Sequence, residues 1–366
     1  MGFNCGIIGL PNVGKSTLFN ALTATAQAES ANYPFCTIEP NAGRVAVPDD
    51  RLAILAGLAK SAQVVPTYLE FVDIAGLVRG ASQGEGLGNK FLSHIREVDA
   101  VCHVLRCFDD GGITHVEGGI DPVRDAEIVE TELLLADLEA MERRFETTEK
   151  RAKGGDKDAR AQLQLLEPVM AALQDGRPAR TADIADDQRP AFRQLQLLTA
   201  KPVLYVCNVD EDSAVDGNAH TEAVNEMAAT KGAATVIVSA EIEAQIAQLD
   251  DPAERAEYLE GIGLNETGLS KVIRAGYALL QLLTFFTAGP KETRAWTVAG
   301  AATAYDAAGR IHTDFQKGFI RAETIGFDDY VEYGGEAGAR DAGRMRQEGR
   351  DYKVRDGDVM LFRFNV

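Results

Sequence analysis

A chain of 366 residues exceeds what one hydrophobic core usually organises, so two or three structural units are expected. Its 45% hydrophobic and 25% charged content excludes disorder as a global state. A formal charge of -19 excludes a basic protein that coats nucleic acid, DNA included, although a local basic face remains open.

The five cysteines form no Cys-x-x-Cys pair, which argues against a disulfide framework or a zinc site. Cys5, Cys102 and Cys207 lie inside apolar runs and read as small core hydrophobes. The start MGFNCGIIGL has no basic leader, and the longest apolar stretch, residues 277–288, is too short to span a bilayer. No membrane association and a cytoplasmic location are expected.

Residues 3–9 read as a buried strand, followed at once by Gly9-Leu10-Pro11-Asn12-Val13-Gly14-Lys15-Ser16, a match to G-x-x-x-x-G-K-S. A helical pattern over residues 16–26 comes next, so the motif has the strand–loop–helix context its chemistry requires. Glycines let successive amides of Asn12, Val13, Gly14, Lys15, Ser16 and Thr17 face phosphate oxygens at the positive end of a helix. Lys15 would place a cation on the β- and γ-phosphates, and the Ser16 hydroxyl would ligate Mg2+. Beyond the helix, NYPFCTIEP carries Thr37, which can complete the magnesium coordination; Cys36 beside it reads as an inert thiol.

Residues 67–73 form the next strand pattern and end in Asp73-Ile74-Ala75-Gly76. Asp73 suits a contact to the metal's water shell, and the Gly76 amide suits the γ-phosphate. Leu77 then stands where Ras-like proteins carry a water-orienting glutamine, so hydrolysis must be slow or borrow a polar group from elsewhere. A helix over residues 88–98 leads to a strand over 100–107. Alternation of this kind implies a parallel sheet covered on both faces, with ligands at the carboxyl ends of its strands.

Asp121-Pro122 is a helix start, an N-cap followed by proline. Ile128, Leu135, Leu138 and Phe145 follow on heptad-related spacings, then Gly154-Gly155, then Leu163, Leu166, Met170 and Leu173. Two antiparallel helices are expected, inserted at about residues 122–200, with a charged tip that includes Arg143, Arg144, Lys150, Arg151, Lys153, Lys157 and Arg160. That tip is either a solvated face or a phosphate contact. Strands over 202–208 and 235–239 resume the sheet. After about residue 283 the helical pattern stops, and Val298, Tyr305 and the alternating end 359–364 read as strands of a small mixed α+β domain.

The base-reading segment departs from ordinary G proteins. A guanine reader has N-K-x-D, whose carboxylate accepts from the guanine N1–H and amine, whereas this chain has Asn208-Val209-Asp210-Glu211. With the lysine gone and a glutamate in the aspartate register, ATP is favoured over GTP. Asp210, one place early, is the competing guanine reader. Ser239-Ala240-Glu241 resembles the SAK segment that lines the base.

Taken together, MGFNCGIIGLPNVGKSTLFNALT, ANYPFCTIEPN, EFVDIAGLVRGASQGEGLGNKFL, HVLRCFDD and NVDE resemble the YchF or Obg-like ATPase family over nearly the full length. The resemblance implies an α/β P-loop G domain over residues 1–282 with a mostly parallel sheet and an inserted antiparallel helical hairpin. It implies a C-terminal TGS domain of β-grasp type over 283–366, a preference for ATP, and association with the ribosome or its 50S subunit. It also points to His115, in FDDGGITHVEGG, as the catalytic group, because imidazole can hold or relay a proton near neutrality. In related G domains an asparagine at the Asn12 position helps to bind K+. The alternatives to an ATPase switch are a GTPase translation factor and a non-enzymatic, nucleotide-regulated scaffold.

Overall fold

The computed structural model describes residues 3–30, 41–74, 87–109, 119–249 and 251–365. Its strands in chain order are β1 (Asn4–Ile8), β2 (Ala42–Ala46), β3 (Gln63–Val65), β4 (Tyr68–Asp73), β5 (Ala100–Arg106), β6 (Val203–Asn208), β7 (Ala234–Val238), β8 (Leu282–Ala288), β9 (Glu292–Ala299), β10 (Phe319–Ile325), β11 (Arg346–Glu348) and β12 (Val359–Phe364). They form two six-stranded sheets, ordered β2-β4-β1-β5-β6-β7 and β11-β10-β12-β8-β9-β3.

In the first sheet every neighbouring pair is parallel except β2 with β4. All seven residues of β5 are buried, as expected of a central strand covered on both faces. Leu18 and Leu22 of α1 (Lys15–Ser30), Phe91, Leu92 and Ile95 of the helix Leu87–Glu97, and Val272 and Ile273 of the helix Gly268–Leu279 share one core with the strands. The edge strand β2 was not evident in the sequence. It is five residues long, contains Gly43, and alternates buried and exposed positions, with Arg44 paired to Glu70 across the strands at 3.3 Å. Register aligns the functional ends: Arg106 lies beside Asn208, and Asn208 beside Val238.

The inserted helices are Pro122–Lys153 and Lys157–Gln174. The Asp121 carboxylate accepts the Arg124 amide at 3.0 Å and Pro122 holds the first helical position. Their seam differs by one residue from the expected line. Leu135 is 45% exposed, whereas Leu134, Leu138, Met141 and Phe145 pack against Leu165, Leu166, Val169, Met170 and Leu173. Thr148 and Ala152 continue that 4-3-4-3-4 spacing into the tip. At the tip, Arg143, Arg151 and Lys153 pair with Glu139, Asp156 and Glu149 at 3.0, 2.6 and 2.9 Å, the behaviour of a solvated face. Asp137 ties the first inserted helix to the segment that leads into β6 by accepting the Leu198 amide, the Thr199 amide and the Thr199 hydroxyl.

The second sheet is mixed. β8 runs antiparallel to β9 and parallel to β12, while β10 pairs antiparallel with both β11 and β12. Helices are part of this unit, as a mixed α+β domain implies, although no helical pattern is legible after about residue 283: Ala304–Ile311, Thr313–Lys317, Phe327–Glu332 and Glu336–Asp341 are all helical. Tyr305 is therefore a helical residue and not a strand residue. The reason is local, since Thr303 and Asp306 form a reciprocal capping box that starts the helix, whose small residues Ala304, Ala307 and Ala308 fit against Phe285, Met360 and Phe362. The segment from the helix Asp50–Ala59 to β3 also belongs to this sheet. Leu52 and Leu55 pack with Phe286, Ala295, Ile325 and Val359, β3 pairs parallel with β9, and Arg51 bridges to Asp356 at 2.6 Å. Among the described residues no helix is long and apolar enough to cross a membrane.

Candidate functional site

The loop after β1 takes a shape that demands its residue types. Gly9 has φ +158°, and a Cβ there would stand 2.6 Å from the Val104 carbonyl oxygen. Asn12 and Gly14 are both in the left-handed region, at φ +65° and +90°. At Gly14 a Cβ would meet Asn208 Nδ2 at 2.1 Å, so only glycine lets the end of β6 approach the loop this closely. Val13, 1% exposed, roots the loop in the core. α1 starts at Lys15 with no acidic residue in its first turn, which leaves its positive end available to an anion. Ser16 and Thr17 are exposed on that turn.

Lys15 is 9% exposed, and its Nζ donates to Asp73 Oδ1 at 2.8 Å and to the Ile74 carbonyl at 3.0 Å. The phosphate-loop cation and the carboxylate at the end of β4 are thus brought together. The Ile74 carbonyl has no side-chain signature, and sequence reasoning missed it.

Asn208 links the two halves of the site. Its Nδ2 donates to the Val13 carbonyl at 3.0 Å and its Oδ1 accepts the Ala240 amide at 2.9 Å, so one buried carboxamide holds the phosphate loop against the Ser239-Ala240 segment. Ser239 is 3% exposed and caps the helix Ala240–Ile246. Val209 is 3% exposed, packed in the cluster that includes Leu105, Tyr205 and Ile246, and its amide donates to Val238. Asp210 spends Oδ1 on the Ser213 amide at 2.9 Å, closing a turn. Glu211 is exposed and accepts from Gln245 Nε2 at 2.6 Å, a partner the sequence did not suggest. Thr37, Gly76 and His115, with Cys36 and Leu77, lie outside the described residues.

The oxygen donors fit a hard divalent ion: a hydroxyl on Ser16 and a carboxylate on Asp73. Among the described residues no group of three His, Cys, Asp or Glu side chains could hold a metal by itself.

Comparison with known proteins agrees with this geometry. Residues 4–143 match a family described as 50S ribosome-binding GTPase, and residues 282–365 match the YchF-GTPase C-terminal family, described as a protein of unknown function. The chain is 56% identical to the Escherichia coli O157:H7 protein named ribosome-binding ATPase YchF, over 366 residues and the whole of both chains. It is 52% identical to the Bacillus subtilis protein of the same name, again over the whole of both. The solved Schizosaccharomyces pombe YchF GTPase superposes with a TM-score of 0.89 at 36% identity, covering 99% of this chain and 98% of that one. With identity above half over the whole of both chains and a fold shared along nearly the full length, the chain belongs to the YchF family.

Proposed function

We propose that this chain is a slow, ATP-preferring P-loop hydrolase that acts as a switch on the ribosome, through the 50S subunit, in the cytoplasm. The Asn208 bridge carries the reading, because it ties a phosphate-binding loop to a base-lining segment and so builds one continuous nucleotide site. The bacterial relatives named ribosome-binding ATPases supply the partner and the reaction, while the yeast relative is named a GTPase. Base preference follows from this chain's own residues. A buried valine replaces the lysine of N-K-x-D, Asp210 is occupied by a turn, and the carboxylate in reading register belongs to the longer Glu211. A guanine would lose its paired acceptor there, and unmatched polar groups discriminate strongly.

Within the site, the loop amides and Lys15 bind and orient the triphosphate, with Ser16 and Thr37 as the magnesium ligands and Asp73 beside them. Bound magnesium would neutralise the charge that grows on the phosphate oxygens. His115 holds or relays the proton of the attacking water, replacing the glutamine that Leu77 cannot imitate. Asn12, at the exposed turn of the loop, is the position where K+ would add charge; equal ATPase rates in potassium and sodium would remove that ion from the scheme. The reading as a whole is tested by competition calorimetry of ATP against GTP with magnesium, alongside co-sedimentation with ribosomal subunits. Tighter ATP binding and nucleotide-dependent co-sedimentation are expected. Absence of heat from either nucleotide would end it, and tighter GTP binding would leave the translation-GTPase reading instead.

A further inference from the structure

Glu243 lies one helical turn beyond the base-lining Ser239-Ala240 segment and is 2% exposed. Its Oε1 accepts the Gly268 amide at 2.6 Å, the Leu269 amide is also directed at the carboxyl, and its Oε2 has no partner among the described residues. The carboxyl thus serves the first amides of the helix Gly268–Leu279 from a different helix. Ser239 caps the helix Ala240–Ile246, and Thr267 caps the helix Gly268–Leu279 by accepting the Ser270 amide at 3.0 Å. Burial pushes the group up to about 7, against the pull of the two amides and of Lys271. A buried acid with one orphaned oxygen costs stability, and a bond to a helix start alone does not require the second oxygen to be buried.

The contacts around it supply a reason. A Cβ on Gly268 would stand 2.5 Å from Val238 Cγ2 and 3.1 Å from Glu243 Oε1, so the start of the later helix is pressed against the base segment from two sides. At its other end the same helix bonds to the second sheet, where the Tyr277 hydroxyl meets Thr284 Oγ1 at 2.8 Å and Thr297 Oγ1 at 3.2 Å. Asn208 to Ala240, Glu243 to Gly268 and Tyr277 to Thr284 form an unbroken run of contacts from the phosphate loop to β8.

We propose that Glu243 is a positioning residue for the nucleotide base. Its carboxyl locks the Ser239-Ala240 segment to the helix Gly268–Leu279, so that occupancy by the base is felt at the start of that helix and, through Tyr277, in the second sheet. This rests on the nucleotide site proposed above and deepens it.

Two variants of similar volume separate the role from folding. Glu243→Gln keeps an acceptor for the Gly268 amide, and Glu243→Met keeps the bulk without one. Each is titrated with ATP and with inorganic tripolyphosphate, which carries the phosphates but no base. The expectation is that Glu243→Met loses about tenfold in ATP affinity while its tripolyphosphate affinity stays within about twofold of the parent, and that Glu243→Gln restores ATP binding. An unchanged ratio of ATP to tripolyphosphate affinity in Glu243→Met overturns the proposal. Should that variant fail to fold, hydrogen exchange on the parent protein decides. The Gly268 amide must gain protection with ATP beyond that with tripolyphosphate, and equal protection refutes the coupling. Failure of the parent to bind either compound is a different result, which strikes the nucleotide site itself.

Discussion

Lys15 Nζ stands 2.8 Å from Asp73 Oδ1, so the cation of the phosphate loop and the carboxylate at the end of β4 meet as a largely buried ion pair. If this ammonium grips a triphosphate, each charge-assisted hydrogen bond is worth roughly 1.5–3 kcal/mol. Lys15→Ala should therefore weaken ATP binding by about two to three orders of magnitude. Calorimetry reads this directly, and a loss smaller than tenfold would mean that the lysine does not grip phosphate.

Asn208→Ala removes two buried bonds at once and leaves the Val13 carbonyl and the Ala240 amide without their partner. At roughly 1–3 kcal/mol for each of the two unsatisfied groups, a stability loss of about 2–6 kcal/mol is expected, together with weaker ATP binding. Urea unfolding and nucleotide titration should fall together. A variant that unfolds at the parent midpoint would show that the carboxamide is not the tie between the two loops.

Much of this site is legible in the sequence because its chemistry requires local order. A glycine at φ +90° before Lys15, an acid at the end of β4 and an asparagine at the end of β6 each sit at a strand terminus that apolar runs announce. What stayed hidden depends on contacts between distant segments. Arg51 and Asp356 lie 305 positions apart, and no periodicity reveals that β3 completes the second sheet. The helical start at Thr303 was open to reading, since T-x-x-D is a capping pattern, but the apolar character of Tyr305 favoured a strand. Leu135 fell on a heptad spacing and is nonetheless exposed, because two heptad lines one residue apart fit the same leucine-rich run and only the partner helix selects between them.

Base choice can be tested without disturbing the core. Restoring the lysine of N-K-x-D through Val209→Lys would place an ammonium among Leu105, Tyr205 and Ile246, at a cost of several kcal/mol. The informative change is Glu211→Asp alone, on an exposed side chain. It should raise GTP affinity relative to ATP by several-fold, as read by competition with a fluorescent nucleotide. An unchanged ratio would assign the preference to main-chain contacts and not to the carboxylate.

Turnover and binding should part at His115. His115→Ala is expected to slow single-turnover ATP hydrolysis by about a hundredfold or more, the usual worth of a general acid–base group, with ATP affinity nearly unchanged. Hydrolysis at the parent rate would remove the histidine from the mechanism and strengthen the scaffold alternative.

His103 gives the fold itself a pH signature. It lies on β5 with 1% exposure, its ring 5.9 Å from that of Tyr205, and burial holds it down at about 4. Glu130 on the insertion pulls it upward, and Lys231, paired to Glu130 at 2.6 Å, pushes it down. The unfolded chain takes up this proton near pH 6.5 while the folded chain refuses it until about pH 4. Between those values the unfolded state holds more protons, so stability is full above pH 6.5 and is lost as the pH falls. Each tenfold difference in proton affinity is worth about 1.4 kcal/mol, so acidification to pH 5 should cost about 2 kcal/mol through this residue alone. Urea unfolding at pH 7 and pH 5 measures it, with His103→Leu as the comparison, because that variant has no proton to refuse. If parent and variant lose equal stability over this interval, His103 is protonated in the folded chain and the packing of β5 against Tyr205 and Glu130 must accommodate a charge.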